Sequence, residues 1–150
     1  MKTVSLFIVM MICIGLNGTA FAENSTMSIK KHTYVGVDSC AGCHEKQYKI
    51  WKKTAHAAAY DALNAKQKDN PDCIRCHTTD DRKSLPGVQC EACHGPGSDY
   101  SDMDTMKNFN EVWNAGLNRN AADTCVNCHN KKSPTFNGFD FKTFWMQIMH

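Results

Sequence analysis

Hydrophobic and polar positions divide this chain into blocks of different period. Lys2 is followed by an apolar run from Val4 to Leu16 and by the small-x-small end Ala20-Phe21-Ala22. That order describes a secretory signal peptide over residues 1–22, cleaved after Ala22, and the run is too short to span a bilayer. Residues 23–31 are polar and aperiodic, which predicts a mobile lead-in. From Glu45 to about Lys66, the residues Tyr48, Trp51, Ala55, Ala59, Ala62 and Leu63 share one side of a helical wheel, with His56 at its edge. This predicts an amphipathic helix that Asn70-Pro71 ends. Pro86-Gly87 and Gly95-Pro96-Gly97 break the middle of the chain into turns, and residues 99–104 read as an acidic loop. A short helix is predicted over residues 109–117. After Ser133-Pro134 a second helical pattern runs from Phe139 to His150, carrying Phe141, Phe144, Trp145 and Ile148. Strand-like alternation is nearly absent, so the fold class is mainly α with long loops.

One pentapeptide recurs between these blocks. Cys-x-x-Cys-His occurs at Cys40, Cys43 and His44, at Cys73, Cys76 and His77, at Cys90, Cys93 and His94, and at Cys125, Cys128 and His129. Two thiols at this spacing can form thioethers to the two vinyl groups of one haem, and the adjacent His then reaches the iron from the same side. Zinc would use the Cys pairs two at a time with no need for a His after every second Cys, and a disulfide framework has no use for that His. A thioredoxin-like redox pair would not recur four times. Each copy therefore reads as one covalent haem c. The only cysteine outside a motif, Cys13, leaves with the signal peptide, and haem attachment agrees with export of the thiols. The expected product is one tetrahaem domain over residues 23–150, in the periplasm.

Composition changes this picture in two ways. Three Trp and few other aromatics must cover four macrocycles, so the haems must form most of the core and the apo chain should fold poorly. The formal charge is +2, and it falls by one with the loss of Lys2; the propionates of four haems then make the holoprotein acidic, which argues against nucleic acid as a partner. Lys30, Lys31, Lys46, Lys49, Lys52 and Lys53 lie early, whereas Asp80, Asp81, Asp99, Asp102 and Asp104 lie in the middle. Such asymmetry can steer a redox partner, and a solvated face accounts for it equally well.

The histidines set the coordination count. Four motif histidines fill one axial position on each iron, and the chain holds only three others, His32, His56 and His150. Three ligands cannot complete four haems. The arithmetic predicts up to three haems with two His ligands and one that is five-coordinate or takes another ligand, for which Met103 and Met106 are the sulfur candidates. His56 lies twelve residues beyond His44, roughly 18 Å along a continuous helix, so it should serve a haem other than the first. His150 would dock the C-terminal helix against a haem attached far earlier.

Around these residues the chain resembles the tetrahaem cytochrome c-554 family. The resemblance runs from the first motif through Trp51-Lys52-Lys53-Thr54-Ala55-His56-Ala57 and Asp72-Cys73, then Gly87-Val88-Gln89 and the third motif with Gly95-Pro96-Gly97, to a Phe-rich helix with a late His. It implies a mainly helical small multihaem cytochrome c fold wrapped around four covalently bound haems in closely packed pairs, and periplasmic electron transfer. It also implies three bis-His haems and one five-coordinate haem, the second, at His77. One departure stands out: relatives carry a ligand His in the loop after Gly-Pro-Gly, where this chain has Ser98-Asp99-Tyr100-Ser101-Asp102-Met103-Asp104. His32, from the N-terminal side, or Met103 is then left to take that place.

The function this supports first is an electron carrier without catalytic residues of its own, exchanging electrons with other cytochromes or quinol-linked donors, docked at the membrane surface through such a partner. The alternative is a haem reductase of nitric oxide or a related small nitrogen compound at the open haem. That chemistry needs proton donors over the vacant site, and no spacing singles out Arg75, Arg82, Arg119 or the Tyr and Lys residues for it. A sensor module would need an output domain for which the chain has no room.

Overall fold

The structure, a computed structural model, describes residues 32–150; the expected signal peptide and lead-in lie outside the described residues. The described residues form seven short helices joined by turns: α1 (Asp38–Ala41), α2 (Glu45–Trp51), α3 (Pro71–His77), α4 (Cys90–His94), α5 (Met103–Lys107), α6 (Phe109–Asn114) and α7 (Phe141–Ile148). Three 3-10 segments, Gln67–Asp69, Gly97–Asp99 and Ala121–Asn127, fill part of the intervals. Among the described residues no strand forms; a single antiparallel bridge joins Thr78 and Pro86. No described helix is long and apolar enough to cross a membrane.

Local chemistry explains why these helices start and stop where they do. Asn70 caps α3 by accepting from the Asp72 N–H, with Pro71 in the first turn, where its missing N–H costs nothing. Asp102, Asn108 and Asp140 cap α5, α6 and α7 in the same way. Gly95, at φ +84°, ends α4 in a conformation that L side chains rarely adopt. Removing the cap that starts the second motif has a defined expectation: Asn70→Ala lowers the unfolding free energy of the holoprotein by about 1 kcal/mol, read as a lower urea midpoint at unchanged slope.

The amphipathic helix expected from Glu45 to Lys66 is much shorter. It ends at Trp51, and turns follow to Leu63. The apolar stripe is real, but the carbonyls that would extend the helix are claimed elsewhere. The Thr54 hydroxyl donates to the Trp51 carbonyl at 2.7 Å, the Val88 N–H donates to the His56 carbonyl at 2.9 Å, and the Ala59 carbonyl lies 2.5 Å from His77 Nδ1. The acidic loop is also more regular than expected, since it contains the Gly97–Asp99 turn and the start of α5. In the C-terminal helix, Met149 is already extended, so His150 lies beyond the helix end.

Conventional core is scarce. The buried apolar side chains among the described residues are Leu63, Ile74, Tyr100 and Val112. Polar staples hold the chain around them. The Glu91 carboxylate, inside the third motif, is 2% exposed and accepts from the N–H groups of Val35, Gly36 and Gly97 at 2.6–3.1 Å. Gln89 accepts from the Val37 N–H at 2.8 Å, and the buried Thr79 hydroxyl donates to the Gly87 carbonyl while accepting from the Gln89 N–H. These bonds pin residues 35–37 and the loop 78–87 to the third motif.

Candidate haem-binding site

All four motifs lie wholly or partly on helical turns, and the geometry follows from that. In α3 and α4 the two cysteines are three residues apart and the His follows the second, so all three side chains project from one face of a single turn. The first motif straddles the end of α1, with Cys43 and His44 beyond it. The fourth runs from the Ala121–Asn127 3-10 segment into a turn in which the Ser133 hydroxyl donates to the Cys128 carbonyl.

The four motifs come together in alternation along the chain. The Cys40 and Cys90 thiols are hydrogen-bonded, which joins the first motif to the third. The Cys76 and Cys128 thiols are likewise hydrogen-bonded, which joins the second to the fourth. Burial and the neighbouring thiol push the Cys128 group up to about 12. All eight motif cysteines are free of disulfides. Among the described residues no group of three or more His, Cys, Asp or Glu side chains converges as a zinc site would need.

Histidines from distant parts of the chain face each other. The rings of His56 and His129 have centroids 6.1 Å apart, and so do those of His94 and His150. A metal–imidazole bond of about 2 Å on each side, added to the radius of each ring, gives a similar separation for two rings sharing one metal atom. Burial, and then the facing partner, lower the protonation of His56 and His94; burial alone lowers that of His129. The neutral ring so favoured is the form that can bind iron. Three other contacts fix tautomers. His77 Nδ1 lies 2.5 Å from the Ala59 carbonyl, His150 Nδ1 lies 2.9 Å from the Ile148 carbonyl, and His32 Nδ1 lies 2.9 Å from Asp99 Oδ2. With Nδ1 protonated, each of these rings has Nε2 left for a metal.

Aromatic side chains frame the fourth motif. Phe139 stacks on His129 with centroids 4.6 Å apart, and Phe144 stacks on Phe139 at 5.4 Å. Trp145 stacks on Phe141 from the same helix. Trp51 has a role that its place in the apolar stripe did not reveal: its indole N–H donates to the Val88 carbonyl at 2.7 Å, tying the end of α2 to the approach of the third motif.

The residues fit haem c. A cavity of about 1030 Å³ is lined by Cys73, Cys76, His77, Cys128, His129 and His56, with apolar walls that include Phe139, Phe144 and Trp145. That volume is at the top of the range of roughly 300–1,000 Å³ for small-molecule and cofactor pockets. Thioether-forming thiols, neutral imidazoles and apolar walls meet in the same space.

Residues 39–95 match the family described as cytochrome c554 and c-prime. Cytochrome c-554 of Nitrosomonas europaea is 33% identical over 119 residues, covering 60% of this chain and 51% of the relative, so the chain spans about half the length of that protein. The solved reduced state of cytochrome c554 from Nitrosomonas europaea has a TM-score of 0.54 and 23% identity, covering 71% of each chain, which shows the shared fold.

Proposed function

We propose that this chain, whose residues 39–95 match the cytochrome c554 family, is a periplasmic electron-transfer protein carrying four covalent c-type haems. Haem c supplies reversible one-electron oxidation and reduction. The cysteine pairs hold one group per motif, and His44, His77, His94 and His129 each supply one axial ligand. His56 completes the site of the fourth motif and His150 that of the third. The two pairs of facing rings, each 6.1 Å apart, carry this reading.

The alternating thiol contacts support a first group beside the third and a second beside the fourth, the closeness that electron exchange within the protein requires. Redox partners would be proteins of complementary charge. A cleft of about 490 Å³ lined by Arg75, Lys131 and Lys132 lies where the second and fourth motifs meet, and it suits an acidic face of such a partner.

Electron paramagnetic resonance of the oxidised holoprotein tests this reading. Three low-spin haems and one high-spin haem that takes up nitric oxide are expected. His56→Ala and His150→Ala should each convert one further haem from low to high spin. Unchanged spin counts in both variants would remove the assignment. Turnover of nitric oxide at the high-spin haem would instead favour a reductase.

A further inference from the structure

Two motif histidines, His44 and His77, remain without a facing ring once His56 and His150 are assigned, and one histidine, His32, remains outside the motifs. We propose that His32 is the distal ligand of the first haem, through Nε2, and that Asp99 is the residue that positions it. This inference rests on the reading of the motifs as haem sites.

The placement of His32 carries the argument. Thr33 is locked to the loop after the third motif, its N–H donating to Ser98 Oγ at 2.9 Å and its carbonyl accepting from the Ser98 N–H. The His32 ring lies over Gly116, whose Cβ position would be 3.6 Å from Nδ1. Gly116 packs on Gly95, directly after His94: a Cβ on Gly95 would lie 2.9 Å from the Gly116 carbonyl. His32 is therefore beside the third motif, which the Cys40–Cys90 contact joins to the first. The cavity around His77 is lined mainly by residues of the second and fourth motifs, with Cys93 and Tyr34 also on its wall, and His32 is not among its lining residues. The first haem is the one within its reach, and His77 keeps an open side.

Asp99 gives this ligand a distinct character. His77 and His150 offer Nδ1 to backbone carbonyls, whereas His32 offers it to a carboxylate that is only 10% exposed. A carboxylate accepting from Nδ1–H fixes the tautomer and makes Nε2 a stronger donor, which stabilises ferric over ferrous iron. This chain has no His in the loop that follows Gly-Pro-Gly; there the loop supplies Asp99, and the ligand comes from the N-terminal side.

The test uses the holoprotein and four variants. His32→Ala should turn one low-spin haem high-spin in electron paramagnetic resonance, and added imidazole should restore it. Asp99→Asn should keep that haem low-spin while shifting its redox equilibrium towards the reduced form about tenfold, roughly 59 mV for a one-electron couple. An unchanged spin count in His32→Ala, with His56→Ala and His150→Ala each adding a high-spin haem, would overturn the ligand assignment and leave the haem reading intact. If all three histidine variants leave the spin count unchanged, the distal-ligand assignments fail together; a holoprotein that shows no haem signal at all would sink the haem reading itself. A normal redox titration of Asp99→Asn beside an altered His32→Ala would overturn the positioning role.

Discussion

Produced without covalent haem, the chain does not fold: circular dichroism shows little helix, and urea melts it without a cooperative transition. The magnitudes decide this. Each helix is four to eight residues long, well under the ~12–15 residues an isolated helix needs to be even marginal in water. The buried apolar side chains number four among the described residues, too few to offset chain entropy. The expected apo state is therefore collapsed or unfolded. Substituting all eight motif cysteines with Ser, or export in a host lacking haem attachment, provides the sample. A sharp two-state urea transition there would contradict the haem-as-core account.

Glu91→Ala in the holoprotein lowers the unfolding free energy by about 4 kcal/mol, near the upper end of what a single substitution costs. The carboxylate satisfies three buried N–H groups, on Val35, Gly36 and Gly97. Truncation orphans all three at about 1–3 kcal/mol each, reduced where water enters the gap. Glu91→Gln keeps one acceptor oxygen and should cost less than half as much. Chemical denaturation followed by haem absorbance measures both, and equal midpoints for Ala and Gln would show that space filling matters there rather than hydrogen bonding.

The four Cys-x-x-Cys-His motifs can be read from the sequence because their chemistry is local: two thiols and an imidazole within five residues. The caps of α3, α5, α6 and α7 were of the same kind, since Asn70, Asp102, Asn108 and Asp140 act on N–H groups two or three residues away. The helix expected from Glu45 to Lys66 was not, because its end depends on Val88 and His77, which claim the carbonyls of His56 and Ala59 from far along the chain. With the helix ending at Trp51, the distance argument that placed His56 away from the first haem no longer applies; its ring faces His129 instead. Which histidines face each other could not be read from spacing, since nothing local couples residue 56 to 129 or 94 to 150. Glu91 was hidden for another reason: thioether chemistry places no demand on the residues between the cysteines, so its burial is a property of the fold alone.

The thiol contacts join first to third and second to fourth, and that interlacing governs how the molecule can be assembled and cut. Repeat proteins lose or gain units because each unit touches only its neighbours in sequence. Here a cut between the second and third motifs would separate both partnered sets at once, so neither half would be a miniature of the whole. A chain emerging N-terminus first must keep its first two motifs unpartnered until the last two arrive. Contacts of such long sequence separation close late and slowly. Completion of the fold thus waits on the fourth motif and on His150, whose ring faces that of His94.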